Sequence, residues 1–247
     1  MSRMIAFAWQ TPDTPLRASV LRAGASGLLL VTGAALLARP WLQLGVLYPG
    51  KAAATFAAAL ALTFGFVGGH HPYDRFGPAN QVTTVRVMLV ALMVSLIGEP
   101  DTRPVAAAAS TAAAVMAVLD GVDGWLARRN RMTSAFGARF DMETDAALVM
   151  VMSVLVWQHG KAGPWVIAGG LLRYLFVMAG WWLPWMARPL QPTRRARIVT
   201  VCHTIGLIVA LAPIIPTPLS AIAVGATLAV LSWSFALDVR RLWTMDS

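Results

Sequence analysis

Eight runs of 16 to 22 mainly apolar residues follow one another along this 247-residue chain, and they leave few folds open. They lie near Val20–Ala38, Ala52–Gly69, Val82–Ile97, Val105–Leu126, Gly137–Trp157, Trp165–Trp185, Ile198–Ile215 and Leu219–Leu237. An α-helix needs about 20 such residues to cross the hydrocarbon core of a bilayer. There the backbone must satisfy its own hydrogen bonds, and a helix does so within one segment. The expected fold is therefore all-α: a polytopic transmembrane helix bundle of eight spans. Pro and Gly mark most connections, at Arg39-Pro40, Pro49-Gly50, Gly98-Glu99-Pro100, Gly160 to Pro164 and Pro213 to Pro218, as expected of segments that interrupt helices. Trp165, Trp181, Trp182, Trp185 and Trp233 sit near predicted span ends, where interfacial aromatics collect.

Charge supports the membrane class and gives it a direction. Only 13% of residues are charged, against about 25% in soluble domains. A net charge of +9 would suggest a nucleic-acid partner in a soluble protein. Here no nucleic acid is expected, because arginines concentrate on cytoplasmic loops facing anionic lipid. With the N-terminus inside, 15 Lys and Arg fall on the cytoplasmic side: Arg3, Arg17, Arg22, Arg75, Arg86, Arg128, Arg129, Arg131, Arg139, Arg188, Arg194, Arg195, Arg197, Arg240 and Arg241. Four fall outside (Arg39, Lys51, Arg103, Lys161), and Arg173 lies mid-span. The expectation is a multi-pass protein of a bacterial inner membrane, N-in and C-in. The first apolar run reads as a retained helix, since no small-residue cleavage site follows it. The single cysteine, Cys202, excludes an intrachain disulfide framework and reads as a packing residue. The Ala-rich run 106–114 reads as a helix packing surface.

Five of the 11 acidic residues fall within positions 120–145: Asp120, Asp123, Asp141, Glu143 and Asp145. Ionisable groups at membrane depth cost roughly 2.5–3.5 kcal/mol each on insertion scales and so default to a functional reading. Asp120 and Asp123 are i,i+3, Asp141 and Asp145 are i,i+4, and each pair shares one helix face. An antiparallel hairpin turning about Met132 brings Asp120 level with Asp145 and Asp123 level with Asp141. Four carboxylates packed in two such layers repel unless a cation neutralises them. An all-oxygen set suits Mg²⁺, Mn²⁺ or Ca²⁺, and four carboxylates could hold two ions about 3.5–4 Å apart, as in in-line phosphoryl displacement. The spacing is not that of an EF-hand loop, and helix capping would account for Asp141 but not for Asp120 or Asp123.

The string Asp120-x2-Asp123-Gly124-x2-Ala127-Arg128-x8-Gly137-x3-Asp141-x3-Asp145 resembles the complete signature of the CDP-alcohol phosphotransferase family. Upstream, Asn80-x2-Thr83-x2-Arg86 resembles a second family motif, although the family has Pro directly before the Asn and here the order is Pro78-Ala79-Asn80. The resemblance implies a six-helix core over residues 78–247, with residues 1–77 adding two transmembrane helices. It implies that Asp120, Asp123, Asp141 and Asp145 bind Mg²⁺ or Mn²⁺, as two ions, and that Asp145 is also the general base. Gly124, Ala127, Arg128 and Gly137 would shape the donor site, with Arg128 on the diphosphate, and Thr83, Arg86 and Ser134 would touch the CDP donor. The implied reaction moves a phosphoalcohol group, phosphatidyl when the donor is CDP-diacylglycerol, onto an alcohol or phosphoalcohol acceptor and releases CMP. Membrane lipids as surroundings and a homodimer are implied as well.

The remaining polar residues are less specific. Arg194, Arg195 and Arg197, with Arg173 mid-span, could bind an acceptor phosphate or a lipid headgroup, though basic clusters also mark cytoplasmic helix ends. Glu143 lies off the ligand face and reads as solvated or supporting. Phe140 stands where the family has leucine, a packing exchange. His70 and His71 read as solvated loop residues, and His203 as packing. Two other classes compete with the transferase: a transporter or channel using intramembrane aspartates, which would not need Gly124, Ala127, Arg128 and Gly137, and an inactive metal-binding homologue.

Overall fold

The computed structural model describes residues 12–188 and 193–244; Arg3 lies outside them. Eight α-helices and no strand occur among the described residues: α1 Thr14–Leu42, α2 Tyr48–His70, α3 Pro78–Ser95, α4 Arg103–Arg129, α5 Ala135–Gln158, α6 Ile167–Trp182, α7 Arg194–Leu211 and α8 Thr217–Thr244. Each falls on one expected apolar run. Proline opens several of them, in the first turns of α1, α2 and α3, where its missing N–H costs nothing. Thr193 caps α7 by accepting from the Ala196 N–H. The run Trp165–Trp185 is not one helix. Pro184 does not continue α6 and opens a 3-10 turn, Pro184–Ala187, while another, Pro164–Val166, precedes the helix.

Five segments are long and apolar enough to cross a membrane: Thr14–Leu42, Tyr48–His70, Arg103–Arg129, Pro164–Trp182 and Thr217–Thr244. The others, α3, α5 and α7, carry Arg86, the acidic residues 141–145 and Arg194–Arg197 respectively, which lower their hydropathy. The chain is a polytopic membrane protein.

By internal packing the chain divides into two units, Met1–Pro100 with Val115–Asp145, and Asp101–Ala114 with Ala146–Ser247. In the first, α1, α2 and α3 pack on one another. Leu16, Val20, Val67, Phe76 and Phe136 form a buried cluster joined by Phe64 and Phe140; the Phe136 and Phe140 rings stack at 5.5 Å, so Phe140 packs as expected. At the other ends of these helices Glu99 is buried and accepts from Lys51 Nζ at 2.7 Å and from the Gly45 N–H at 2.6 Å. A buried carboxylate needs such partners.

In the second unit α7 and α8 pack closely. His203 is buried and its Nδ1 lies 3.1 Å from Thr227 Oγ1, a packing role as expected. Cys202 is exposed, which corrects the packing expectation: on a helix apolar all round, the sequence does not mark the inner face. Arg195 is committed to Asp238 Oδ1 at 2.5 Å and to the Ser234 carbonyl at 3.3 Å, while Arg194 and Arg197 are exposed. Gly170 of α6 is pressed against α5: a Cβ there would lie 2.7 Å from Met150 Cα, a backbone atom that cannot rotate away. Gly170→Ala is therefore expected to cost about 1–3 kcal/mol as an overpacking change, read as a lower melting temperature in detergent. Gly33→Ala, with open space around it, should leave melting unchanged or raise it slightly.

Candidate active site

Every residue of the acidic cluster lies in the first unit. α4 ends and α5 begins around a five-residue turn, 130–134. Arg131 takes a left-handed φ of 53°. The Met132 N–H reaches the Ala127 carbonyl (3.1 Å) and the Arg131 N–H reaches that of Arg128 (3.3 Å), the paired bonds of a Schellman stop. The turn sends α5 back antiparallel to α4, and α3 supplies the third wall.

Arg86 of α3 is completely buried and its guanidinium joins all four aspartates. Nη1 donates to Asp123 Oδ2 at 2.7 Å and to Asp141 Oδ1. Nη2 pairs with Asp120 Oδ1 at 3.1 Å and with Asp145 Oδ1. The two nitrogens thus separate the layers that the hairpin register predicts, Asp123 with Asp141 and Asp120 with Asp145. The planar fork of arginine suits this task and an ammonium would not. Nε has no partner among the described residues.

The four carboxylates are not equivalent. Asp123 is only 5% exposed and also accepts from Thr83 Oγ1 at 3.1 Å. Asp120, Asp141 and Asp145 keep side-chain exposures of 45%, 39% and 44%. One oxygen from each of these three lies within 4.8 Å of the others. Three hard oxygen donors this close together fit a divalent ion of the Mg²⁺ or Mn²⁺ kind, whereas Asp123 stands outside that group, held by Arg86 and Thr83.

Around the cluster, Gly124 lies under the Arg128 side chain, whose Nη1 would be 3.4 Å from a Cβ at that position. Arg128 is exposed, and Ala127 is half-buried beside it. Gly137 is a close approach: a Cβ there would lie 3.1 Å from Asn80 Oδ1 and 3.2 Å from Ser134 Oγ. Asn80 is buried and donates to the Phe76 carbonyl at 2.6 Å. Ser134 caps α5 by accepting from the Gly137 N–H at 3.0 Å. Glu143 pairs with Arg139 at 3.0 Å on the exposed side of α5, in keeping with a solvated role. A cleft of about 620 Å³, lined in part by Arg22, Ser26, Gln81 and Thr84, opens between α1 and the face of α3 turned away from Arg86.

The expectation of two solvated loop histidines fails. His70 is the last residue of α2, with Nδ1 3.3 Å from the Phe66 carbonyl, and His71 is buried. Its ring bridges Ser134 Oγ (3.0 Å, at Nδ1) and the Arg75 carbonyl (2.9 Å, at Nε2). Burial pushes its pKa below the ordinary value, although the Arg75 carbonyl works in the other direction. The signal for this lies in Ser134, 63 positions away, and not in the loop's own composition.

An all-helical membrane protein in which one buried guanidinium gathers four aspartates, three of them partly exposed, defines a class of helical membrane proteins with a carboxylate site suited to a divalent cation. The family is equally plain: residues 77–237 match the CDP-alcohol phosphatidyltransferase family model, and the chain belongs to that family. Membership in a family of phosphatidyltransferases counts against the transporter and channel alternative. Over 83 residues it is 37% identical to a CDP-diacylglycerol--glycerol-3-phosphate 3-phosphatidyltransferase of Pseudomonas fluorescens, covering 33% of this chain and 42% of that protein. Over 86 residues it is 38% identical to the Escherichia coli K12 protein of the same name, covering 34% and 46%. The chain thus spans less than half the length of these curated relatives. No solved structure matches.

Proposed function

We propose that this chain is a metal-dependent phosphatidyltransferase that moves the phosphatidyl group of CDP-diacylglycerol onto the hydroxyl of a phosphoalcohol and releases CMP. The observation that carries the reading is the open triad Asp120, Asp141 and Asp145 gathered on Arg86. These three residues, with Asp123 as a further ligand, would hold Mg²⁺ or Mn²⁺. Two bound ions would take up charge on the donor diphosphate as CMP leaves. The rest is the work of the chain. Arg86, expected to touch the CDP donor, is fully buried among the carboxylates and holds them in register. Arg128 has a planar fork suited to two bonds with the diphosphate. Thr83 and Ser134 flank the cluster as contacts for the CDP donor, Gly124 and Ala127 leave room for the nucleotide, and Gly137 lets Asn80 and Ser134 close on the start of α5. One oxygen of Asp145 is engaged by Arg86, and the other has no partner among the described residues. That oxygen takes the proton of the acceptor hydroxyl as it attacks the phosphorus bearing the diacylglycerol. In this reading the core is residues 78–247, residues 1–77 add two spans, and the site faces the cytoplasm of a bacterium with both termini inside. The 15-to-4 distribution of basic residues supports that orientation.

Glycerol 3-phosphate, the acceptor named for the relatives, is the first to test. With CDP-diacylglycerol, glycerol 3-phosphate and Mg²⁺, the purified protein in lipid nanodiscs is expected to release CMP. EDTA should suppress the rate at least 100-fold, and Mn²⁺ should restore it. CMP release unaffected by EDTA would remove the metal from the proposal. No release with any acceptor of a panel of phosphoalcohols and alcohols would remove the transferase reading.

A further inference from the structure

The family match begins at residue 77, yet side chains from the loop just before it, 71–76, are built into the turn between α4 and α5. Tyr73 Oη donates to the carbonyls of Arg131 (3.0 Å) and Thr133 (3.1 Å). These bonds hold a turn that includes a non-glycine residue in the left-handed region, a conformation costing roughly 1–2 kcal/mol. Gly77, itself at φ +82°, lies against the Met132 side chain. His71 packs edge-on against Tyr73 and Phe136, at ring separations of 5.3 and 5.9 Å, and reaches Ser134 itself.

We propose that His71 is a positioning residue that fixes the Ser134 hydroxyl as a hydrogen-bond acceptor for the nucleoside of the donor, either its cytosine amino group or its ribose 2′-hydroxyl. The inference rests on the reading above, in which Ser134 faces the CDP donor. The polarity follows from partners that have no choice. The Arg75 carbonyl only accepts, so His71 Nε2 carries the ring proton, and in a neutral imidazole Nδ1 is then an acceptor. Ser134 must therefore donate its one proton to Nδ1. The Gly137 N–H occupies one of the Ser134 lone pairs. What remains is a single lone pair, which can meet an N–H or O–H group but repels a phosphate oxygen. Ser134 so held reads the nucleoside and not the diphosphate.

The test uses the full-length protein and equilibrium binding of CDP, dCDP and UDP in the presence of Mg²⁺, with CMP release from CDP-diacylglycerol measured in parallel. Wild type should bind dCDP or UDP roughly fivefold or more weakly than CDP, the worth of one hydrogen bond. Loss with dCDP identifies the 2′-hydroxyl, and loss with UDP the amino group. His71→Phe keeps the ring packing but removes both nitrogens. It should bring the discrimination within twofold, raise the donor KM about fivefold and leave kcat within about threefold. Ser134→Ala should do the same, and the double variant should be no worse than either single one. His71→Asn, whose amide offers one acceptor and one donor, should recover most of the discrimination. The proposal is overturned by a wild type that binds the three nucleotides equally, by a His71→Phe protein that discriminates like wild type, or by additive effects of the two substitutions. Nucleotide binding without any CMP release would fail the transferase reading while still deciding the role of His71.

Discussion

Arg86→Gln should be the most damaging single substitution for stability in this protein. It takes a fully buried guanidinium away from four carboxylates that it joins. Breaking a buried ion pair from one side costs about 3–5 kcal/mol, because the remaining charge stays uncompensated. The lower end applies here, since only Asp123 is buried and the other three carboxylates are around two-fifths exposed. A loss of about 3 kcal/mol corresponds to a fall of about 6–12 °C in melting temperature for a chain of 150–250 residues. The variant should also become more responsive to divalent cations than wild type, since Mg²⁺ then supplies the charge that Arg86 no longer does. Arg86→Lys should recover only part of the loss, as a single ammonium cannot span both layers. Melting in nanodiscs across a Mg²⁺ titration decides it. An Arg86→Gln protein that melts like wild type, with no added response to Mg²⁺, would show that the four aspartates are not coupled through this residue.

The legible parts of the fold are those written as periodicity or as paired spacing. Eight apolar runs placed eight helices, and the shared midpoint of the pairs Asp120/Asp145 and Asp123/Asp141 placed the layers of the cluster. The centre of that cluster was not legible in the same way. That Arg86 reaches all four aspartates depends on how α3 lies against the α4–α5 hairpin, a tertiary fact that no spacing within one segment encodes. The same limit hid His71, which meets Ser134 only because the α2–α3 loop folds over the α4–α5 turn. Short loops carry no period, so a buried histidine within one looks like a solvated one. The break of α6 at Pro184 was present in the sequence but masked by the tryptophans on either side. The exposure of Cys202 shows a different limit. Lipid is as apolar as a helix interface, so hydrophobicity does not distinguish a face turned to lipid from one turned to another helix.

Asp145→Asn separates catalysis from stability, and its expected outcome is the reverse of that for Arg86. The amide keeps an oxygen for Arg86 Nη2, so the contact that anchors this side chain persists. One negative charge leaves a cluster whose members repel one another, and the position is 44% exposed, so no buried charge is stranded. Melting should stay within a few degrees of wild type, where Arg86→Gln falls well below it. Turnover should behave otherwise. General-base assistance contributes about 10²–10⁴-fold, and an amide neither accepts the hydroxyl proton nor offers an anionic oxygen to a divalent ion. CMP release should therefore fall by about 10³-fold or more, through kcat and not through the donor KM alone. Asp145→Glu keeps the charge but displaces it by a methylene, and should retain a measurable fraction of the rate because position matters as well as basicity. An Asp145→Asn protein that turns over within tenfold of wild type would assign the proton to another group and leave Asp145 as one ligand among several.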